Sequence, residues 1–225
     1  MDKEKNCLNC GSNFKVNRFH PHTEFCSEVL INMNYKYRLI LVILLLIAGC
    51  YSNTLASNFI QHQYPSQVTV NDILLDRITG DYPWAMKTAE AVLIVCFITA
   101  LVLSFKYKDE VPKWLLIIAI FQFVRAMFIS LTIFIPICND SFLARFASFS
   151  YGSFPSGHVS IPFLFFLFSY KRNKIWIFYL IATVLVAIGL LLSKNHYTID
   201  ILGTFFICYA IKKFIEGNTR FSFHK

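Results

Sequence analysis

Long apolar runs separated by short polar stretches set the pattern of this chain. Runs near 18 or more apolar residues read as membrane-spanning helices. Six candidate spans follow, at about 38–55, 84–105, 114–137, 156–170, 175–192 and 197–215. The second, third and fifth are the clearest. The uninterrupted runs of the first and fourth, Leu39 to Cys50 and Val159 to Tyr170, are about 12 residues each, and the latter holds Pro162. Runs that short also suit a core helix or a re-entrant segment. The expected fold is all-α and polytopic: a tail over 1–36, a six-helix membrane domain over 37–216 and a second tail over 217–225. Two polar stretches interrupt the apolar pattern inside that domain. They are FPSGHVS at 154–160 and NHYTID at 195–200.

Composition agrees with a membrane class, since 56% of residues are hydrophobic and only 15% are charged. The net charge of +8 reads as the cytoplasmic bias of Lys and Arg in membrane proteins, and nucleic-acid binding is not expected. The first apolar run follows a polar stretch too long for a signal-peptide n-region, so it reads as a retained span. Alternating the spans from a cytoplasmic N-terminus puts sixteen of the 21 Lys and Arg on the cytoplasmic side and four on the other, with Arg125 inside the third span. Both termini are then cytoplasmic, and FPSGH, NHYTID and the loop holding Asp72 and Asp76 are not. His158 and His196 are 38 residues apart. At about 1.5 Å rise per residue and a core of about 30 Å, that length crosses the bilayer and returns, bringing both to one face.

Each motif has a chemical logic. Pro155 suits the first turn of a helix, which places Ser156, Gly157 and His158 where free amides and the helix dipole favour an anion. Gly157 permits close approach, Ser156 adds a hydroxyl, and His158 adds a group that transfers protons near neutral pH. In NHYTID, His196 and Asp200 have the i,i+4 spacing of one helical face. A carboxylate on one imidazole nitrogen leaves the other available as nucleophile or base.

PSGH, followed later by a His with Asp four residues on, resembles the type 2 phosphatidic acid phosphatase superfamily. NHYTIDI is similar to its sphingomyelin-synthase-like branch, and FVRAMFISLTIFIP at 123–136 and NDILLD at 71–76 resemble that branch more loosely. The likeness covers about residues 70–215. It implies that His196 carries the phospho group as phosphohistidine, Asp200 orients it, and His158 protonates the leaving oxygen and assists the acceptor, without a catalytic metal. A lipid-hydroxyl acceptor such as ceramide makes a synthase, and water makes a lipid phosphate phosphatase. The phosphatases' Lys-x6-Arg-Pro motif is absent, and Leu190 stands where their Arg precedes the nucleophile, with Lys194 as a substitute cation. Pro155, however, is a phosphatase-like feature, and SYG replaces the synthases' Cys-Gly-Asp. Both branches stay open.

Arg125 inside a span needs a partner. Glu90 lies at a matching depth, and the alternatives are a structural ion pair or contact with a lipid phosphate. Asp72 and Asp76 read as a solvated face, because two carboxylates are too few to argue a metal site. Asn139-Asp-Ser is a glycosylation triplet. In the first tail, Cys7, Cys10, His22 and Cys26 have zinc-finger spacing over 7–26, with His20 as a competing ligand. A structural zinc and a protein partner are expected for that segment. A non-catalytic membrane scaffold built around the finger is the rival from another class.

Overall fold

A computed structural model describes residues 34–63, 71–80, 82–132, 154–170 and 174–217. The described residues form six α-helices: α1 (Tyr35–Gln63), α2 (Pro83–Lys106), α3 (Val111–Leu131), α4 (Gly157–Ser169), α5 (Ile175–Leu192) and α6 (Thr198–Gly217). A single 3-10 turn, Lys108–Glu110, leads into α3. Helices occupy all six expected positions. Four stretches are long and apolar enough to cross a membrane: Tyr35–Gln63, Pro83–Lys106, Lys108–Leu131 and Ile175–Leu192. The chain is a multi-pass membrane protein.

Two of the six expected spans, α4 and α6, fall outside that set. The 13 residues of α4 rise only about 20 Å, short of a core of about 30 Å, and Pro162 lies inside that helix. The 20-residue α6 carries Asp200 in its first turn and Lys212, Lys213 and Glu216 toward its end, leaving a shorter apolar stretch between them. In the other direction, α1 runs well past its apolar run. Its polar second half stays helical because Gly49, Asn53, Ala56 and Ile60 share a buried face. The third helix begins earlier than expected, at Val111, and the expected 133–137 end lies outside the described residues. So do the zinc-finger segment with Cys7, Cys10, His22 and Cys26, the Asn139 triplet and the 218–225 tail.

Packing places α4 at the centre, against α2, α5 and α6 and more lightly against α3, while α1 packs on α3. Small residues allow the close approaches that membrane helices rely on. A Cβ at Gly189 on α5 would sit 2.9 Å from the Ala85 carbonyl oxygen and the Ala89 Cβ of α2. One at Gly49 on α1 would sit 3.0 Å from Gln122 Cβ on α3. The two ends of the bundle are distinct. At one end Tyr35 Oη donates to the Lys108 carbonyl (3.0 Å), and Lys113 meets Glu216 (3.7 Å). At the other, Asp72 meets Thr198, and Ser193 Oγ lies 3.9 Å from Met86 Sδ.

Candidate active site

The N-terminus of α4 is built by Ser156. Its side-chain oxygen accepts the Val159 amide at 3.4 Å, the usual work of an N-cap serine. Ser156 is buried, so the hydroxyl expected to face an anion is built into the helix start. Pro155 was expected in the first helical turn, but it precedes the N-cap. It offers its carbonyl to Arg125 Nε at 2.9 Å. Gly157 and His158 are the first two helical residues, as their motif implied.

The start of α6 follows from how α5 ends. Lys194 has φ 52°, the left-handed conformation typical of a helix C-terminal cap. Its amide donates to the Leu191 carbonyl (3.1 Å), and the Asn195 amide donates to the Leu190 carbonyl (3.1 Å). This double bond pattern is a Schellman motif. It turns the chain sharply, so that His196 and Tyr197 precede α6 instead of lying in it. His196 and Asp200 therefore do not share one helical face as expected. The pair forms all the same, with His196 Nδ1 3.2 Å from Asp200 Oδ2. The same oxygen accepts the Tyr197 amide at 3.0 Å, reaching back from the first turn as the acid of a capping box does. With the proton on Nδ1, Asp200 Oδ2 accepts from both groups and Nε2 is left as the imidazole's basic nitrogen. Asp200 Oδ1 is buried without a hydrogen-bond partner in the structure.

A polar joint docks the two motifs. The Ser156 amide donates to the Asp200 carbonyl (3.3 Å). Thr204 Oγ1 lies 2.6 Å from the Asp200 carbonyl and 3.3 Å from that of Ser156. Gly203 leaves room for Phe154, since a Cβ there would fall 2.4 Å from the ring. The result brings the His158 and His196 rings together, centroids 6.0 Å apart and planes at 68°.

Arg125 reaches this joint from α3. Besides Pro155, it donates from Nη1 to Asn53 Oδ1 at 3.2 Å. Its guanidinium carbon lies 3.6 Å from where a Gly157 Cβ would begin. Two of its hydrogen bonds thus run to α1 and to the turn before α4, and Glu90, its expected partner, is buried on α2. Leu190 is fully buried in an apolar cluster with Met86, Val159 and Ile201. Lys194 stands at the α5–α6 turn, half-buried.

Sequence reasoning missed three residues of the site. Asp72, read as a solvated face, accepts the Thr198 hydroxyl at 2.8 Å and the Thr198 amide. It thus caps the first residue of α6 from a loop 126 positions away. Burial alone pushes the Asp72 carboxyl up, but hydrogen bonds from Thr198, Leu75 and Leu74 outweigh it, and the net shift is downward. Asn53 and Thr204 carried no signal of their own; only partners distant in sequence give them meaning. Among the described residues no cluster of three or more His, Cys, Asp or Glu could hold a metal.

Comparison with known proteins adds no relative: no family model, no curated protein and no solved structure matches this chain.

Proposed function

We propose that this chain is a membrane phosphotransferase that moves a phospho-headgroup between lipids, resembling the sphingomyelin-synthase-like branch of the type 2 phosphatidic acid phosphatases. The observation that carries the reading is the facing His158–His196 pair, 6.0 Å apart, with Asp200 on the Nδ1 of His196. In the first step His196 Nε2 attacks phosphorus. A phosphorus–nitrogen bond forms, the phosphorus–oxygen bond to the leaving group breaks, and His158 gives its proton to the departing oxygen. In the second, an acceptor hydroxyl loses its proton to His158 and attacks phosphorus, and His196 leaves. The Gly157 amide end of α4 and Arg125 suit the phosphate oxygens, with Lys194 a further cation at the rim. The active site faces the non-cytoplasmic side, and both termini are cytoplasmic, on the charge alternation given above.

The test uses membranes holding wild type or His196→Ala, supplied with fluorescent ceramide and mixed phospholipids. A phosphoceramide product lost in the variant supports the synthase and identifies its headgroup. His196-dependent release of phosphate from labelled phosphatidate, without that product, moves the chain to the phosphatase branch. Neither activity would end the enzyme reading for these substrates. The finger scaffold would then be tested through Cys7→Ser and Cys10→Ser.

A further inference from the structure

The first helix takes part in the site through one residue. On α1, Asn53 is fully buried, in a helix pair that small apolar residues would pack without penalty. A buried amide is tolerated only when its polar atoms are satisfied. Here Asn53 Nδ2 faces three acceptors: the Gly49 carbonyl at 2.8 Å, the Gln122 carbonyl at 3.1 Å and Gln122 Oε1 at 3.0 Å. With the amino group fixed on that side, Oδ1 points the other way and accepts Arg125 Nη1. The close approach of α1 and α3 at Gly49 makes this arrangement reachable. Two acceptors, Asn53 Oδ1 and the Pro155 carbonyl, then hold Arg125 with Nη2 3.9 Å from the Cβ position of Gly157.

We propose that Asn53, oriented by Gln122, is a positioning residue that holds the Arg125 guanidinium at the N-terminus of α4 for a phosphate-class oxyanion. The proposal rests on the functional reading above and goes beyond it by giving the first helix a role in substrate binding. Losing one hydrogen bond to a charged group corresponds to about a tenfold effect on binding.

Orthovanadate, which mimics five-coordinate phosphorus, is the probe, with purified full-length protein in detergent. Vanadate raises the wild-type melting temperature. In Asn53→Leu the vanadate concentration for half-maximal stabilisation rises about tenfold, as does the KM for the lipid donor, while kcat stays within about twofold. Gln122→Leu gives a smaller shift in the same direction, and Ser52→Ala, on the neighbouring position of α1, gives none. A folded Asn53→Leu with unchanged vanadate response overturns the proposal. If that variant does not fold, an unchanged response in Gln122→Leu does so. Absence of any vanadate effect on the wild type removes the anion site and the proposal with it. An Asn53-dependent vanadate effect without His196-dependent turnover supports the positioning role and defeats the transferase reading alone.

Discussion

The two ends of the bundle are held together by different forces. Around Trp114 the core is aromatic: Trp114 stacks on Phe168 (centroids 5.6 Å, planes at 7°) and meets Phe165 edge-on, and Phe165 in turn stacks on Tyr179. Polar contacts there are peripheral, such as Lys212 and Lys113 on Glu216, and partly exposed pairs of that kind contribute little. Around His158 and His196 the order is reversed. Hydrogen bonds among Ser156, Asp200 and Thr204 carry the docking, and glycine supplies the space. Aromatic packing tolerates small shifts because dispersion is spread over many atoms. Hydrogen bonds tolerate few, because distance and angle both matter. On the proposed function, the half that needs sub-ångström placement is the half built from directional bonds.

Removing His196 sharpens that contrast most. In His196→Ala turnover falls to background, at least about a thousandfold, given what nucleophiles and general acid–base groups contribute. The helical circular dichroism of the purified protein stays unchanged, since the Ser156–Asp200–Thr204 joint does not use the imidazole. A matching loss of helix content would mean that His196 serves the fold. His158→Ala follows the same pattern.

The next effect comes from the opposite end. Trp114→Ala opens a cavity among Phe165, Phe168 and Tyr107, and large-to-small changes of this type cost about 3–5 kcal/mol. Thermal unfolding in detergent detects that loss. The KM of the surviving folded fraction is unchanged if the aromatic half is only a base. A raised KM would show that the two ends communicate.

Gly203→Leu comes third. Its side chain enters the space of Phe154, and the joint between α4 and α6 has to open. Activity drops by about a hundredfold, the scale expected of a misplacement near 1 Å, while stability changes by less than for Trp114→Ala. Gly203→Ala sits between this variant and wild type. Unimpaired turnover in the leucine variant would show that Phe154 moves aside without disturbing the histidines.

These expectations also mark what the sequence could reveal. Apolar runs located all six helices because a long continuous run has few other homes. They did not show how far α1 extends, because it continues through a more polar stretch to Gln63 with Asn53, Ala56, Ser57 and Ile60 on its buried face. His158, His196 and Asp200 were legible as motifs, and the pair His196–Asp200 was predicted correctly from the wrong geometry. Its spacing suggested a helical face, whereas the turn at Lys194 and Asn195 makes the contact just before the helix. The links through Asn53, Thr204 and Asp72 were hidden. Each is a bond between positions 48 to 126 apart, and a single sequence has no signal at that range.

Asp72 yields the smallest effect and the finest probe of the comparison, because it ties the loop before α2 to the first residue of α6. Its carboxyl is held below the usual carboxylate range, so the charged form is favoured in the folded protein. A depressed value means that this contribution is present above the unfolded aspartate value of about 3.9, and fades as pH falls through the lower folded value. Asp72→Asn keeps the shape but turns an amino group or a weaker carbonyl toward Thr198, at a cost of about 1 kcal/mol, the usual worth of a helix cap. At pH 7 the variant melts a few degrees below wild type, and on acidification below about pH 4 the gap narrows as the wild-type carboxylate is protonated. A gap that persists at low pH would assign Asp72 a role of shape alone. Turnover separates the readings further: if the loop holds α6 in register with α4, the variant loses a few-fold in activity at neutral pH and keeps its donor KM, because the proposed oxyanion site lies at α4 and Arg125 and not at the α6 cap.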